Sequence, residues 1–200
     1  MFVDPTGLKI KISSDLSGEE RDIIVRNLDL LTDDSVYLNR NGYVNLIINE
    51  NANEHKNGTN LISRLVSSEK TVTITIGQVN EFIREQQLIT FNPYKTIYLP
   101  TMIPYDKYGR TESKAADHFI ILGHELIHAD RLFRGELQDW FTYHDFRKSD
   151  YTFVKEYVRQ EELETVGPLD MEPRRNSGNI TENDLRWEHH IPLRGGYLNL

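Results

Sequence analysis

Two hundred residues suit one domain with its own core, and hydrophobic residues at 38% beside charged residues at 27% are the proportions of a soluble globular chain. The absence of cysteine excludes disulfides, thiolate metal sites and cysteine nucleophiles, and leaves the chain indifferent to the redox state of the compartments it crosses. A net charge of −8 argues against a nucleic-acid binder, and the longest apolar run, residues 119–122, is far too short to span a bilayer.

No secretory-signal pattern follows Met1, so export is expected to proceed without a Sec-type leader. Asp4-Pro5-Thr6-Gly7 reads as a turn, and residues 8–12 alternate apolar and polar as a half-buried strand should. Ser17 or Gly18 precedes a helix with Ile23, Ile24, Leu28 and Leu31 on its apolar face. Residues 44–48 and the alternating 71–76 read as strands, with an Asn-rich surface loop over 50–60 between them. A short strand over 96–99 ends at Pro100, and a polar loop covers 104–110.

Helical periodicity begins at Ser113 and runs to about Arg134. A second helix is expected from Thr152 to about Thr165, closed by Gly167-Pro168. Residues 169–178 read as a loop, and a third helix starts at Thr181. There are no repeats and no domain linker. Strands first and helices later predict an α+β fold, with helices packed on one face of a small mixed sheet. Trp140, Phe141, Tyr143 and Phe146 are expected to pack beneath the long helix, with the lining of a substrate pocket as the alternative, and His118, His144, His189 and His190 receive no role.

The chemistry concentrates in His124-Glu125-Leu126-Ile127-His128. Two histidines four apart on a helix project from one face, one turn apart, which suits two nitrogens on one zinc ion. Glu125 stands where it can take a proton from water and return it to a leaving amine. Catalytic zinc takes three protein ligands and leaves one position open. A third histidine six residues on is excluded, since that position is Arg134 and the glycine of that pattern is replaced by Arg131. One of Glu161, Glu162 and Glu164 remains as the third ligand.

Residues 123–135, with Gly123-His124-Glu125-Leu126-Ile127-His128-Ala129 at their head, resemble the active helix of the clostridial neurotoxin light chains, which are zinc endopeptidases. Glu161-Glu162-Leu163-Glu164-Thr165-Val166-Gly167 is similar to their Glu-Glu-Leu-x-Thr-x-Gly segment, and the resemblance makes Glu162 the third ligand. Arg194-Gly195-Gly196-Tyr197 matches their Arg-x-x-Tyr, which implies that Arg194 and Tyr197 donate to the oxyanion of the tetrahedral intermediate. Thr181-Glu182 matches the Thr-Glu pair upstream of it, so that Glu182 orients a ligand histidine or Arg194. The same region resembles the type III effector metalloproteases that clip host MAP kinases, a family closer in size. The light chains are much longer and carry substrate-gripping insertions that have no counterpart here, so their SNARE specificity does not carry over.

Residues 3–8, Val3-Asp4-Pro5-Thr6-Gly7-Leu8, resemble the junction at the end of an Rhs-repeat core, where a variable toxin begins. The implied organisation is a junction over 1–8 and a zinc metallopeptidase toxin domain of zincin-like fold over 9–200. The implied function is that of a toxin or effector with one catalytic Zn2+, delivered into the cytoplasm of a target cell to cleave a specific protein. Its implied partners are that substrate, an immunity protein, and an Rhs or toxin-complex shell before release, with no nucleic acid and no membrane. Three rivals are weaker. Glu125 argues against a catalytically inactive zincin-fold binding module, the junction argues against a maturation peptidase acting on its own assembly, and the acidic charge argues against a metal-dependent nuclease.

Overall fold

Ile10 and Ile12 point the same way along the first strand and are fully shielded from solvent, as an alternating segment with one buried face requires. The computed structural model describes residues 9–51, 53–104, 106, 108–167 and 179–196. The Rhs-like junction and Tyr197 lie outside the described residues.

Among these, the chain forms two four-stranded sheets, one short hairpin and five α-helices, a mixed α/β architecture. The first sheet has the order β1-β4-β6-β5, with β1 (Ile10–Ile12), β4 (Val72–Ile76) and β6 (Leu88–Phe91) parallel and β5 (Glu81–Ile83) antiparallel at the edge. The second has the order β10-β9-β8-β7 and joins β7 (Tyr98–Met102), β8 (Arg110–Ala115), β9 (Phe141–Lys148) and β10 (Phe153–Arg159). β2 (Ser35–Leu38) and β3 (Val44–Ile47) form the hairpin.

Helix α1 (Gly18–Asp29) starts where Ser17 closes a capping box. Ser17 Oγ accepts from the Glu20 amide at 3.2 Å, and Glu20 accepts from the Ser17 amide at 2.8 Å. Ile24 and Leu28 of α1 join Leu61, Ile62 and Leu65 of α2 (Lys56–Val66) in one core with the first sheet. Helix α3 (His118–Arg134) runs through the middle of that core and packs against α1, α2, α4 (Gln160–Val166) and α5 (Glu182–Glu188). Its far end is fixed by Asp130, which is buried against Arg64 of α2 at 2.9 Å and Arg134 at 3.1 Å. Among the described residues, no helix is long and apolar enough to cross a membrane.

Six expectations need correction. There are two mixed sheets rather than one, and α1 and α2 precede most of the strands. The expected loop over 50–60 runs into α2. The backbone amides of Asn57 and Gly58 at its N-terminus are bound by the Glu188 carboxylate at 2.8 and 2.7 Å, a cap from far along the chain that no local pattern reveals. Residues 113–115 belong to β8, and most of the helix expected from Thr152 is β10, paired along its whole length with β9, with only 160–166 helical. Of the four aromatic residues expected beneath the long helix, only Phe146 is buried; Trp140, Phe141 and Tyr143 are exposed.

Candidate metal centre and active site

Helix α3 presents His124 and His128 one turn apart, and α4 comes directly off β10 to face them. The His124 and His128 Nε2 atoms stand 3.1 Å apart, and the Glu162 carboxylate lies 3.2 Å from the first and 3.5 Å from the second. Three donors about 2.0–2.1 Å from a shared tetrahedral ion would be separated by about 3.3 Å. The three side chains therefore have the spacing of a His2Glu ligand set with one position left open, and they could hold a metal ion.

The other ring nitrogens fix this orientation. His124 Nδ1 meets Glu182 at 2.8 Å, and His128 Nδ1 meets Glu161 at 3.1 Å. With each Nδ1 held by a carboxylate, both Nε2 atoms and the Glu162 carboxylate converge on one point. Burial works against protonating His124, but its hydrogen bonds to Glu162 and Glu182 outweigh that and raise its pKa. Burial is likewise outweighed at His128, where Glu161 and Glu162 raise the value to about 10. Glu162 is held well below the carboxylate range by the two imidazoles despite its burial.

The two supporting carboxylates are themselves anchored. Glu182, 1% exposed, accepts from Arg186 Nε at 2.6 Å and Arg194 Nη1 at 2.9 Å. Burial would raise its pKa, but the Arg194 and Arg186 charges hold it far below its ordinary value. Glu161 accepts from Arg131 Nε at 2.9 Å, Thr165 Oγ1 at 3.2 Å and the Gln138 amide at 3.2 Å. Neighbouring residues on a helix diverge by about 100°, which lets Glu161 reach behind His128 while Glu162 faces both Nε2 atoms.

Two glycines permit this closeness. A Cβ on Gly123, one residue before His124, would fall 2.7 Å from Leu185 Cδ1 and 3.1 Å from Leu31 Cδ2, so its absence lets α5 bring Glu182 against the histidine. Gly167 ends α4 with φ +86°, a region that favours glycine, and a Cβ there would fall 2.6 Å from the Thr181 side chain.

Glu125 is buried beside the histidines and faces a cleft of about 530 Å³. Burial raises its pKa, against the pull of the two imidazoles. The cleft is lined by Glu81 and Phe82 of β5 and by Phe141, Tyr157 and Arg159 of β9 and β10. Arg84 and Asp139 join in a bidentate pair at 2.6 and 3.1 Å at its rim.

Arg194 lines the same cleft. Its segment runs beside β7, with the Met102 amide donating to Leu193 O at 2.7 Å and the Gly195 amide to Pro100 O at 2.9 Å. The Asn183 side chain accepts from the Arg194 amide at 2.8 Å. A strand-like seat for this segment was not expected from Gly195-Gly196. Glu164 bonds Gln160 at 2.7 Å and takes no part in the cluster. The structure thus brings together His124, Glu125, His128, Glu162, Glu182 and Arg194. Sequence reasoning missed Glu161, Arg131, Thr165 and Asn183 as supports. The signals available were the 100° divergence of adjacent helical residues and the placement of Arg131 three residues after His128.

A buried carboxylate thus stands in an open cleft beside three side chains that could hold a metal ion. The chain matches the Peptidase_M91 family model, described as an effector protein, over residues 11–197, and it belongs to that family. No curated protein and no solved structure was found to match it.

Proposed function

We propose that the chain is a zinc-dependent endopeptidase of zincin-like fold, delivered as an effector or toxin into a target cell, where it cleaves a specific protein. Membership of a peptidase family of effector proteins supports the class. The observation that carries the metal is the meeting of His124 Nε2, His128 Nε2 and the Glu162 carboxylate at 3.1–3.5 Å from one another, the spacing of ligands around one shared ion. Two imidazoles and a carboxylate suit Zn2+ better than harder cations, which prefer all-oxygen sites.

When bound, the ion supplies a Lewis acid for the scissile carbonyl and acidifies water. Glu125 takes the proton of the attacking water and passes it to the leaving amine, and its raised pKa brings it nearer the range where both transfers are favourable. Glu182 and Glu161 keep both imidazoles in the tautomer that offers Nε2. Arg194 holds Glu182 in place and, with Tyr197, is the candidate donor to the oxyanion. Strand β5 lies at a sheet edge along the cleft, where an extended peptide could add as a further strand. A binding module that does not cleave would have no use for a buried Glu125 in this place.

Metal analysis tests the proposal. Purified wild-type chain is expected to carry one zinc ion, Glu162→Ala to lose it, and Glu164→Ala to keep it. Retention of zinc by Glu162→Ala, with loss in Glu164→Ala, would move the third ligand to Glu164.

A further inference from the structure

From the register of β9 with β10, Phe141 faces Arg159, Tyr143 faces Tyr157, Asp145 faces Lys155, and Arg147 faces Phe153. All eight side chains leave one face of this two-stranded ribbon, because alternate residues share a face. The opposite face carries Phe146 and Val158, which are buried. The outward face is therefore aromatic where a solvent face is ordinarily polar: Tyr143, Phe153 and Tyr157 are 64%, 67% and 61% exposed.

The aromatic rings are organised. Tyr157 stacks on Phe141 with centroids 5.1 Å apart and touches Tyr143 at 4.9 Å. Cations cover them, with Arg147 4.3 Å from the Phe153 ring centre, Lys155 4.6 Å from Tyr143 and Arg159 5.7 Å from Phe141. Against these three cations the face has one carboxylate, Asp145, in a chain whose net charge is −8. Among the described residues, no carboxylate lies within salt-bridge distance of Arg147 or Lys155. At one end the face runs into the cleft, which Phe141, Tyr157 and Arg159 help to line.

We infer that the outward face of the β9–β10 ribbon is a docking surface for an acidic, apolar-rich segment of the protein substrate, lying beside the stretch that enters the cleft. This rests on the peptidase reading. The seven residues of β10 extend about 20 Å, enough for about six extended residues of a bound segment. Aromatic rings supply contact area at low entropic cost, and cations already seated over them can turn to carboxylates without leaving the apolar surface. Continuity with the cleft identifies the occupant as substrate, and the local excess of positive charge sets its sign.

The test measures binding, without metal and without cleavage. Fluorescein-labelled 12-residue peptides of alternating Glu with Leu or Phe are titrated with metal-free protein at low salt, beside Lys-for-Glu peptides and a 12-nucleotide oligo-U. The acidic peptide is expected to bind, at least tenfold more tightly than either control. The Arg147→Glu, Lys155→Glu double variant and the Tyr143→Ser, Phe153→Ser double variant are each expected to weaken it at least tenfold. Lys155→Gln alone, a mild surface change, is expected to weaken it measurably even if a double variant fails to fold. No binding of the acidic peptide, equal binding by folded variants, or preference for the oligonucleotide would overturn the inference. Because no hydrolysis is read, a chain that binds the peptide yet cleaves nothing would count against the proposed activity and not against the docking surface.

Discussion

Replacing Glu161 by Gln changes one atom and should weaken zinc binding without touching a ligand. Four donors converge on this carboxylate: Arg131 Nε, His128 Nδ1 and Thr165 Oγ1 on one oxygen, and the Gln138 amide on the other. An amide has one oxygen to offer. If it keeps the first position, its NH2 group meets the Gln138 N–H, and if it takes the second, three donors lose their acceptor. Either way Arg131, 2% exposed, loses its carboxylate partner, and a hydrogen bond to a buried charged group is worth about 1.5–3 kcal/mol. His128 also loses the group that fixes its tautomer. Replacing such an outer partner typically costs about 10–100-fold in metal affinity, or about 1.4–2.7 kcal/mol. Competition with a chromophoric chelator reads the affinity, and thermal melting of the metal-free protein reads the fold. Glu164→Gln, one turn away on the same helix, serves as the control and should leave both unchanged. Zinc affinity within threefold of wild type in a folded Glu161→Gln protein would refute the role given to Glu161.

Gly123→Ala forces a methyl group against Leu185 and Leu31 and is expected to cost about 1–3 kcal/mol, read as a lower Tm, with zinc affinity falling as α5 and Glu182 move from His124. His189 stacks on His55 with centroids 4.1 Å apart, and burial, together with the nearby His55 and His190 charges, lowers its pKa to about 4. The unfolded chain therefore takes up this proton first, near pH 6.5, so the stability His189 contributes is full above that value and is lost as pH falls towards 4. Glu188, raised to about 6 by burial against the opposing pull of its hydrogen bonds from the Asn57 and Gly58 amides, acts oppositely and gains stability as pH falls from 6 to its unfolded value near 4.5. His189→Phe, whose ring can keep the stack and the edge contact with Phe119, should raise Tm at pH 5 relative to pH 7 when compared with the wild type; an unchanged Tm profile would show that His189 does not titrate there.

How much of this was legible depended on whether the information was local. The histidine pair and Glu125 are written in five consecutive residues on a helix, and Ser17 announces α1 through its capping box. The residues alone narrowed the third candidate ligand to Glu161, Glu162 and Glu164, and only resemblance singled out Glu162, Glu182 and Arg194, because nothing in a glutamate on a short helix distinguishes a ligand from a solvated side chain. Helix α2 was hidden because its first turn, Lys56-Asn57-Gly58-Thr59, has weak helix formers and takes its cap from Glu188. The β9–β10 ribbon was hidden for another reason. Its outward positions are more aromatic than its inward ones, so no alternation of buried apolar and exposed polar residues marks the strands, and Phe153–Arg159 can equally be taken for a helix leading into α4. That same irregularity marks the face inferred to dock the substrate.

The central claim is that this chain hydrolyses peptide bonds with Glu125 moving the proton. Its most direct measurement is the profile of protein N-termini in cells expressing the wild-type chain, against cells expressing Glu125→Gln at equal level, with one zinc ion confirmed in each purified protein. New N-termini should arise in one or a few proteins with the wild type and be absent with the variant, since removing a general base costs about 10²–10⁴ in rate. Identical new N-termini in both, or none with a zinc-loaded wild type, would contradict it.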